Sequence, residues 1–240
     1  MSGGREPEPG DRGADRLPVL GLTTDVTTRR ALRVVAWSDT HGYHERVTLP
    51  PGDLLIHAGD LTKHGELEEV GAFDAFLAAL PHPHKIVIAG NHDWCFQRQP
   101  DDARARLRHA IYLEDQAITI EGWKFYGSPW QPEFLDWAFN LPRGGPLREK
   151  WALIPTDTDV LVTHGPPLGH GDRTTFGSQH VGCEDLLAAV ERIAPRFHVF
   201  GHIHEGAGVT RAGVTTLVNA ASCDVFYEPI QPPVVFDLVP

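Results

Sequence analysis

The sequence predicts an α/β fold with a parallel β core, and three observations predict it. Short apolar runs rich in β-branched residues recur at Leu32–Trp37, 53–58, 85–89, 159–163 and Phe197–Phe200. Their length and composition are those of buried strands. Amphipathic stretches alternate with them. Over 66–80 the apolar residues are Leu67, Val70, Phe73, Leu77 and Leu80, one stripe on a helix that Pro81 stops. Over 182–194 the stripe is Leu186, Leu187, Val190 and Ile193. Finally, each strand runs into a polar group. A strand–helix–strand rhythm implies parallel strands, which set those polar ends along one edge.

The remaining elements follow in order. Residues 1–30, rich in Gly, Arg, Asp, Glu and Pro, read as a flexible tail whose part 17–22 can pack on the domain. No apolar segment of a secretory signal follows the start. The domain is 31–240. A short basic helix is expected over 101–110. Glu121-Gly122 between 117–120 and 123–126 is a hairpin turn. The stretch 128–155 reads as irregular; its aromatics, Trp130, Trp137 and Phe139 among them, suit a packed lid or a wall of a site. The end reads as a β-meander: a strand up to Arg211, a turn at Ala212-Gly213, then 215–220 and Val234–Leu238.

The chain has 240 residues, 41% of them hydrophobic, enough for one sizeable domain. A net charge of −11 argues against non-specific binding of nucleic-acid polymers or anionic membrane. No run of eighteen apolar residues occurs, so no membrane span is expected. Cys95, Cys183 and Cys223 are too few and too scattered for a disulfide framework or a zinc ribbon. They read as small core residues in a reducing, cytoplasmic compartment.

The 14 histidines form no tract, and several sit at strand ends beside Gly or Asp. His57 and His198 lie inside strands and read as core residues. His44, His64, His82, His84 and His109 read as solvated, as do Lys85 and the run Arg104, Arg106 and Arg108. His170 and His180, in the loop after His164, could reach a substrate but suit that role less well than Asn140 and Arg143. Five strand ends supply Asp39, His41, Asp60, Asn91, His92, His164, His202 and His204. Oxygen and imidazole donors without thiolate suit Mn, Fe, Co or Zn. Asp39-x-His41 and His202-x-His204 each put two donors on one side of an extended segment. So many donors suit two divalent ions sharing one carboxylate. Asp93 can orient His92 through its second ring nitrogen.

The motifs Asp39-x-His41, Gly59-Asp60, Gly90-Asn91-His92-Asp93, Thr163-His164-Gly165 and Gly201-His202-x-His204 occur in this order. Together they resemble the calcineurin-like metallophosphoesterase superfamily. The stretches 137–144 and 163–169 resemble its metallophosphoesterase-domain-containing branch, which is similar to class III cyclic nucleotide phosphodiesterases. The resemblance implies two mixed β-sheets packed as a sandwich with flanking helices, four layers in all. It implies that Asp39, His41 and His204 hold one metal, that Asn91, His164 and His202 complete a second, and that Asp60 bridges them. It also implies a metal-bridging hydroxide as nucleophile, His92 as proton donor to the leaving oxygen, and Asp93 as its orienting partner. The implied substrate is a small phosphodiester, with cyclic nucleotides the leading class. A phosphomonoesterase or protein phosphatase, or a nucleotide-binding module with little turnover, are the alternatives. Asn140 and Arg143 are candidate substrate contacts, because Arg suits phosphate and both lie in the aromatic loop.

Overall fold

The computed structural model describes residues 1, 3, 28–175 and 177–240. The expected tail, its segment 17–22 included, falls almost wholly outside them. Arg29 is already anchored: its guanidinium pairs with Asp159 at 2.8 Å and lies 4.4 Å from the Trp123 ring.

In chain order the elements are β1 (Leu32–Trp37), β2 (Leu54–His57), α1 (Leu67–Ala79), β3 (His84–Val87), α2 (Trp94–Arg98), α3 (Pro100–Arg106), β4 (Ile111–Tyr112), β5 (Gln116–Ile120) and β6 (Trp123–Ser128). There follow β7 (Gln131–Pro132), β8 (Asn140–Leu141), α4 (Gly145–Ala152), β9 (Val160–Thr163), α5 (Glu184–Ile193), β10 (Phe197–Phe200), β11 (Gly208–Ala212), β12 (Thr215–Asn219) and β13 (Val234–Leu238). One sheet runs β13-β1-β2-β3-β4 and a second β11-β12-β10-β9-β6-β5. The pairs linking β1 to β4 are parallel, as are those from β12 through β10 and β9 to β6. Antiparallel strands sit at the edges.

Strand periodicity builds the layers. Val34, Ala36, Ile56 and Ile86 of the first sheet meet Phe125, Val160, Val162 and Val199 of the second, forming the sandwich core. Val35, Trp37 and Leu55 point the other way, onto Val70, Phe73 and Leu77 of α1 and Phe96 of α2. Tyr126, Leu161 and Phe200 back onto Trp151 of α4 and Leu186 and Val190 of α5. The result is the expected four layers. Because both faces of both sheets are covered, the central strands are largely apolar, with His57 of β2 and His198 of β10 as buried polar exceptions.

The structure corrects several expectations. The last segments are not one meander: β11 and β12 form a hairpin in the second sheet, whereas β13 crosses to pair with β1. The stretch 128–155 contains α4, opened by Gly145-Pro146, with Leu147 and Trp151 buried on one side. Two turns are too short to declare a period. His44 and His82 are buried rather than solvated. His44 packs on Phe73 and Phe76, and the ring of His82 lies 2.9 Å from the Pro50 carbonyl. His57, His198 and the three cysteines are buried, and the cysteines are free thiols. Among the described residues no helix is long and apolar enough to cross a membrane.

Candidate metal centre

The parallel strands of both sheets end on one edge, and the loops leaving β1, β2, β3, β9 and β10 meet there. Asp39, His41, Asp60 and His202 all have left-handed backbone, with φ of 53°, 43°, 56° and 68°. Each such residue costs on the order of 1–3 kcal/mol and persists only where its surroundings fix it. Here the loops hold one another. The Asp39 N–H donates to the Gly59 carbonyl and the His41 N–H to that of Asp60, both at 2.9 Å. The His202 N–H donates to the Asp39 carboxylate at 3.0 Å, and the His92 N–H to that of Asp60 at 2.8 Å. Two glycines admit this closeness. A Cβ on Gly90 would stand 2.3 Å from Asp60 Oδ1, and one on Gly201 would stand 1.9 Å from Asp39 Oδ2.

The donors converge. His204 Nε2 lies 3.2 Å from His41 Nε2 and 3.4 Å from Asp39 Oδ1. Asp60 Oδ2 lies 3.8 Å from His41 Nε2 and 3.4 Å from His164 Nε2. The Asn91 Oδ1 amide oxygen meets His164 Nε2 at 2.9 Å and His202 Nδ1 at 2.7 Å. Three overlapping sets bring ligand atoms within 4.8 Å of one another: Asp39, His41 and His204; His41, Asp60 and His92; Asp39, Asp60 and His164. The second nitrogen of two rings is fixed by a carbonyl: His164 Nδ1–H donates to Ala58 O at 2.9 Å and His204 Nδ1–H to Asp224 O at 2.8 Å. A carbonyl accepts only, so in both rings Nε2 is the nitrogen left for the centre.

Charge gives the test of fit. Burial alone would raise the Asp39 and Asp60 carboxyls. The hydrogen bond from His204 and the charge of His164 hold Asp39 well below the usual carboxylate range, and His164 does the same for Asp60. Burial likewise opposes charge on the two rings. Yet the charge and hydrogen bond of Asp60 lift His164 to about 9, and the hydrogen bond and charge of Asp39 lift His204 to about 9. His41 and His202 are pushed down by burial, to about 4 and about 3. Two buried carboxylates thus balance their charge by protonating the imidazoles beside them. Divalent cations would meet the same demand without those protons, and the donor set fits them.

The seven expected ligands therefore meet, with His92 beside them. Asp93 is corrected. Its carboxylate accepts from the backbone N–H of Leu61 (3.3 Å), Thr62 (2.9 Å) and Gly90 (2.7 Å) and from the Thr62 hydroxyl (2.7 Å). The His92 ring is not among these partners. Instead His92 Nδ1–H donates to the Lys63 carbonyl at 2.9 Å. Asp93 ties two ligand loops together, and the loop it gathers supplies the oxygen that orients His92. Asn140 and Arg143 are engaged within the fold. Asn140 Nδ2 donates to the Phe134 and Leu135 carbonyls. Arg143 donates to the Val181 and Gly182 carbonyls and pairs with Glu184.

Five of the donors, His41, Asp60, Asn91, His202 and His204, floor a cleft of about 410 Å³ that His92, Trp137, Phe134, Leu135, Glu205 and Tyr227 also line. Trp137 stacks on His92 with centroids 4.4 Å apart. Tyr227, which sequence reasoning missed, sets its ring 4.7 Å from that of His41. It lies in an irregular loop with no periodic or motif signal. Phe139 of the aromatic loop turns instead toward the α1 side of the first sheet, and Trp130 packs against both that cluster and the one beneath α4 and α5.

Residues 32–206 match the model of the family described as calcineurin-like phosphoesterase. The chain is 46% identical over 230 residues to human metallophosphoesterase domain-containing protein 1, covering 86% of this chain and 71% of that one. It is 41% identical over 238 residues to UPF0046 protein T07D4.2 of Caenorhabditis elegans, covering 86% and 60%. A solved structure, TT1561 of Thermus thermophilus, superposes with a TM-score of 0.55 at 15% identity over 79% of this chain and 89% of that one, a likeness of fold alone. The match to the family model, the relatives and the converging Asp and His donors lead to one conclusion: the chain belongs to the calcineurin-like phosphoesterase family of metal-dependent phosphoester hydrolases.

Proposed function

We propose that the protein hydrolyses small phosphodiesters with two divalent cations, cyclic nucleotides being the leading substrate class. Asp39, His41 and His204 would hold one cation, and Asn91, His164 and His202 the other. Asp60 would lie between them. Such a pair supplies a nucleophilic water at neutral pH and a clamp for the attacking and leaving oxygens. Manganese is the ion to try first, with Fe, Zn and Co as the other members of the set this chemistry suits.

The chain's own residues set the rest. His92, buried at the cleft floor and held through Nδ1 by Lys63, keeps Nε2 for a proton delivered to the leaving oxygen. Trp137, stacked on that imidazole, fixes its plane and excludes water from one face. The observation that carries the choice of a diester is charge. Among the described residues lining the cleft there is no Lys or Arg, and Glu205 adds a carboxylate. A monoester dianion would need more positive charge than a diester monoanion, and the side chains do not provide it. The acidic chain and this small cleft also favour a small molecule over a nucleic-acid polymer. Free, buried cysteines fit a cytoplasmic setting.

The test is an assay of bis(p-nitrophenyl) phosphate beside p-nitrophenyl phosphate, with and without Mn²⁺. Hydrolysis of the diester alone is expected. Hydrolysis of the monoester alone would favour a phosphomonoesterase, and of neither a binding module.

A further inference from the structure

Beside the metal cleft lies a second cavity, of about 280 Å³. Phe134, Pro166, Val181 and Ile203 give it apolar walls, and Arg143 and His202 add planar groups beside Glu133 and Thr174. Apolar walls with few polar groups are the make-up of a small-molecule subsite. The two cavities adjoin, because His202 and Phe134 line both. Phe134 is 63% exposed, a large apolar ring that the fold leaves uncovered at the junction. Its segment is nevertheless held in place, since Asn140 Nδ2 donates to the Phe134 carbonyl at 3.2 Å and to that of Leu135 at 3.0 Å.

Arg143 is not available as a phosphate ligand. Its Nη1 donates to the Gly182 carbonyl at 2.8 Å and the Glu184 carboxylate at 2.5 Å, and its Nη2 to the Val181 carbonyl at 2.7 Å. A guanidinium with its charge met and its plane fixed is a stacking surface for a flat ring. Glu133 also lines the cavity, which disfavours an anion there.

We infer that this side cavity receives one ester substituent of the substrate, and that the substituent carries a planar, largely apolar ring of nucleobase type. This rests on the reading above, in which phosphorus sits at the Asp and His donors, and the substituent reaches past His202. Asn140 and Arg143 then serve the substrate as positioning residues for the cavity wall.

Two esters that release the same p-nitrophenol test the inference: thymidine 5′-(p-nitrophenyl phosphate) and methyl p-nitrophenyl phosphate. With Mn²⁺, kcat/KM is expected to favour the thymidine ester by about tenfold or more, the scale of an apolar subsite. Val181→Phe, which fills the cavity, should bring that ratio close to one. Thr174→Trp, on another wall, should do the same should Val181→Phe fail to fold. Binding of adenosine to the metal-stripped protein, followed by calorimetry, should weaken by about tenfold in the filled variants at unchanged Tm. A wild-type ratio near one, or a ratio that neither filled variant moves, would overturn the inference. Hydrolysis of neither ester would instead overturn the catalytic reading. Adenosine binding then decides the cavity alone: loss in the filled variants supports it, and equal binding refutes it.

Discussion

Gly201→Ala puts the packing of the metal centre to a direct test. A Cβ at this position would lie 1.9 Å from Asp39 Oδ2 and 2.4 Å from Ser38 Oγ. Carbon and oxygen come no closer than about 3.3 Å, so the carboxylate must retreat by about 1.4 Å or the Gly201 backbone must move. Neither is free. Asp39 is fully buried, accepts two 3.0 Å hydrogen bonds from the His202 N–H and sits 3.4 Å from His204 Nε2. Retreat breaks those contacts, and backbone movement displaces His202 and His204 together. Overpacking of this kind costs about 1–3 kcal/mol. In a chain of this size that lowers Tm by roughly 2–4 °C per kcal/mol. The larger effect falls on metal, because ligands out of place lose roughly 10–100-fold in affinity. Calorimetric titration with Mn²⁺ measures it, beside turnover of bis(p-nitrophenyl) phosphate. Gly145→Ala is the control, since nothing lies within 4 Å of a Cβ there and the residue opens α4. It should be neutral or slightly stabilising. Wild-type Mn²⁺ affinity in Gly201→Ala would refute the view that Asp39 and the His202–His204 loop form one metal-holding unit.

Three further outcomes are expected. His92→Ala should keep its bound metal, by elemental analysis, yet lose two or more decades of turnover, the scale of a general acid; a variant stripped of metal would make His92 a ligand instead. The metal-free protein holds protons on His164 and His204 up to about 9, against 6.5 for the unfolded chain. These raised values contribute stability that is complete below pH 6.5 and is lost as pH rises through 9. Mn²⁺ must displace the same protons, so binding at pH 7.5 should release about two, read from calorimetry in buffers of different ionisation enthalpy; a heat independent of buffer contradicts the assignment. Asp93→Asn removes an acceptor from a buried cluster of donors and should cost about 1–3 kcal/mol for each donor left unpaired. It should leave the pH profile of turnover unshifted, whereas a direct contact with His92 would move the limb that reports the proton donor.

Much of the site was legible in the sequence because it depends on short-range order. A buried strand needs a run of apolar residues, and the residue after its last pleat must leave the sheet. The polar groups at 38–41, 59–60, 90–93, 163–165 and 201–204 therefore declare both their strands and their common edge. The oxygen and imidazole character of Asp39, Asp60, Asn91 and the histidines is likewise a property of composition. So is the amphipathic stripe of α1, and β10 was placed to the residue.

The tertiary structure decided what the chain brings together from afar. Asp93 neighbours His92 in sequence, yet its carboxylate turns to Leu61, Thr62 and Gly90, because three backbone N–H groups and a hydroxyl meet it there. The Lys63 carbonyl that orients His92, the Tyr227 ring beside His41 and the pairing of β13 with β1 involve backbone atoms or irregular loops, which carry no residue code. The left-handed backbone of Asp39, His41, Asp60 and His202 belongs here as well. Asp and His adopt it more readily than most residues, but no local pattern announces it. It persists because the other loops of the same edge hold it by hydrogen bonds, and that support exists only in the folded chain.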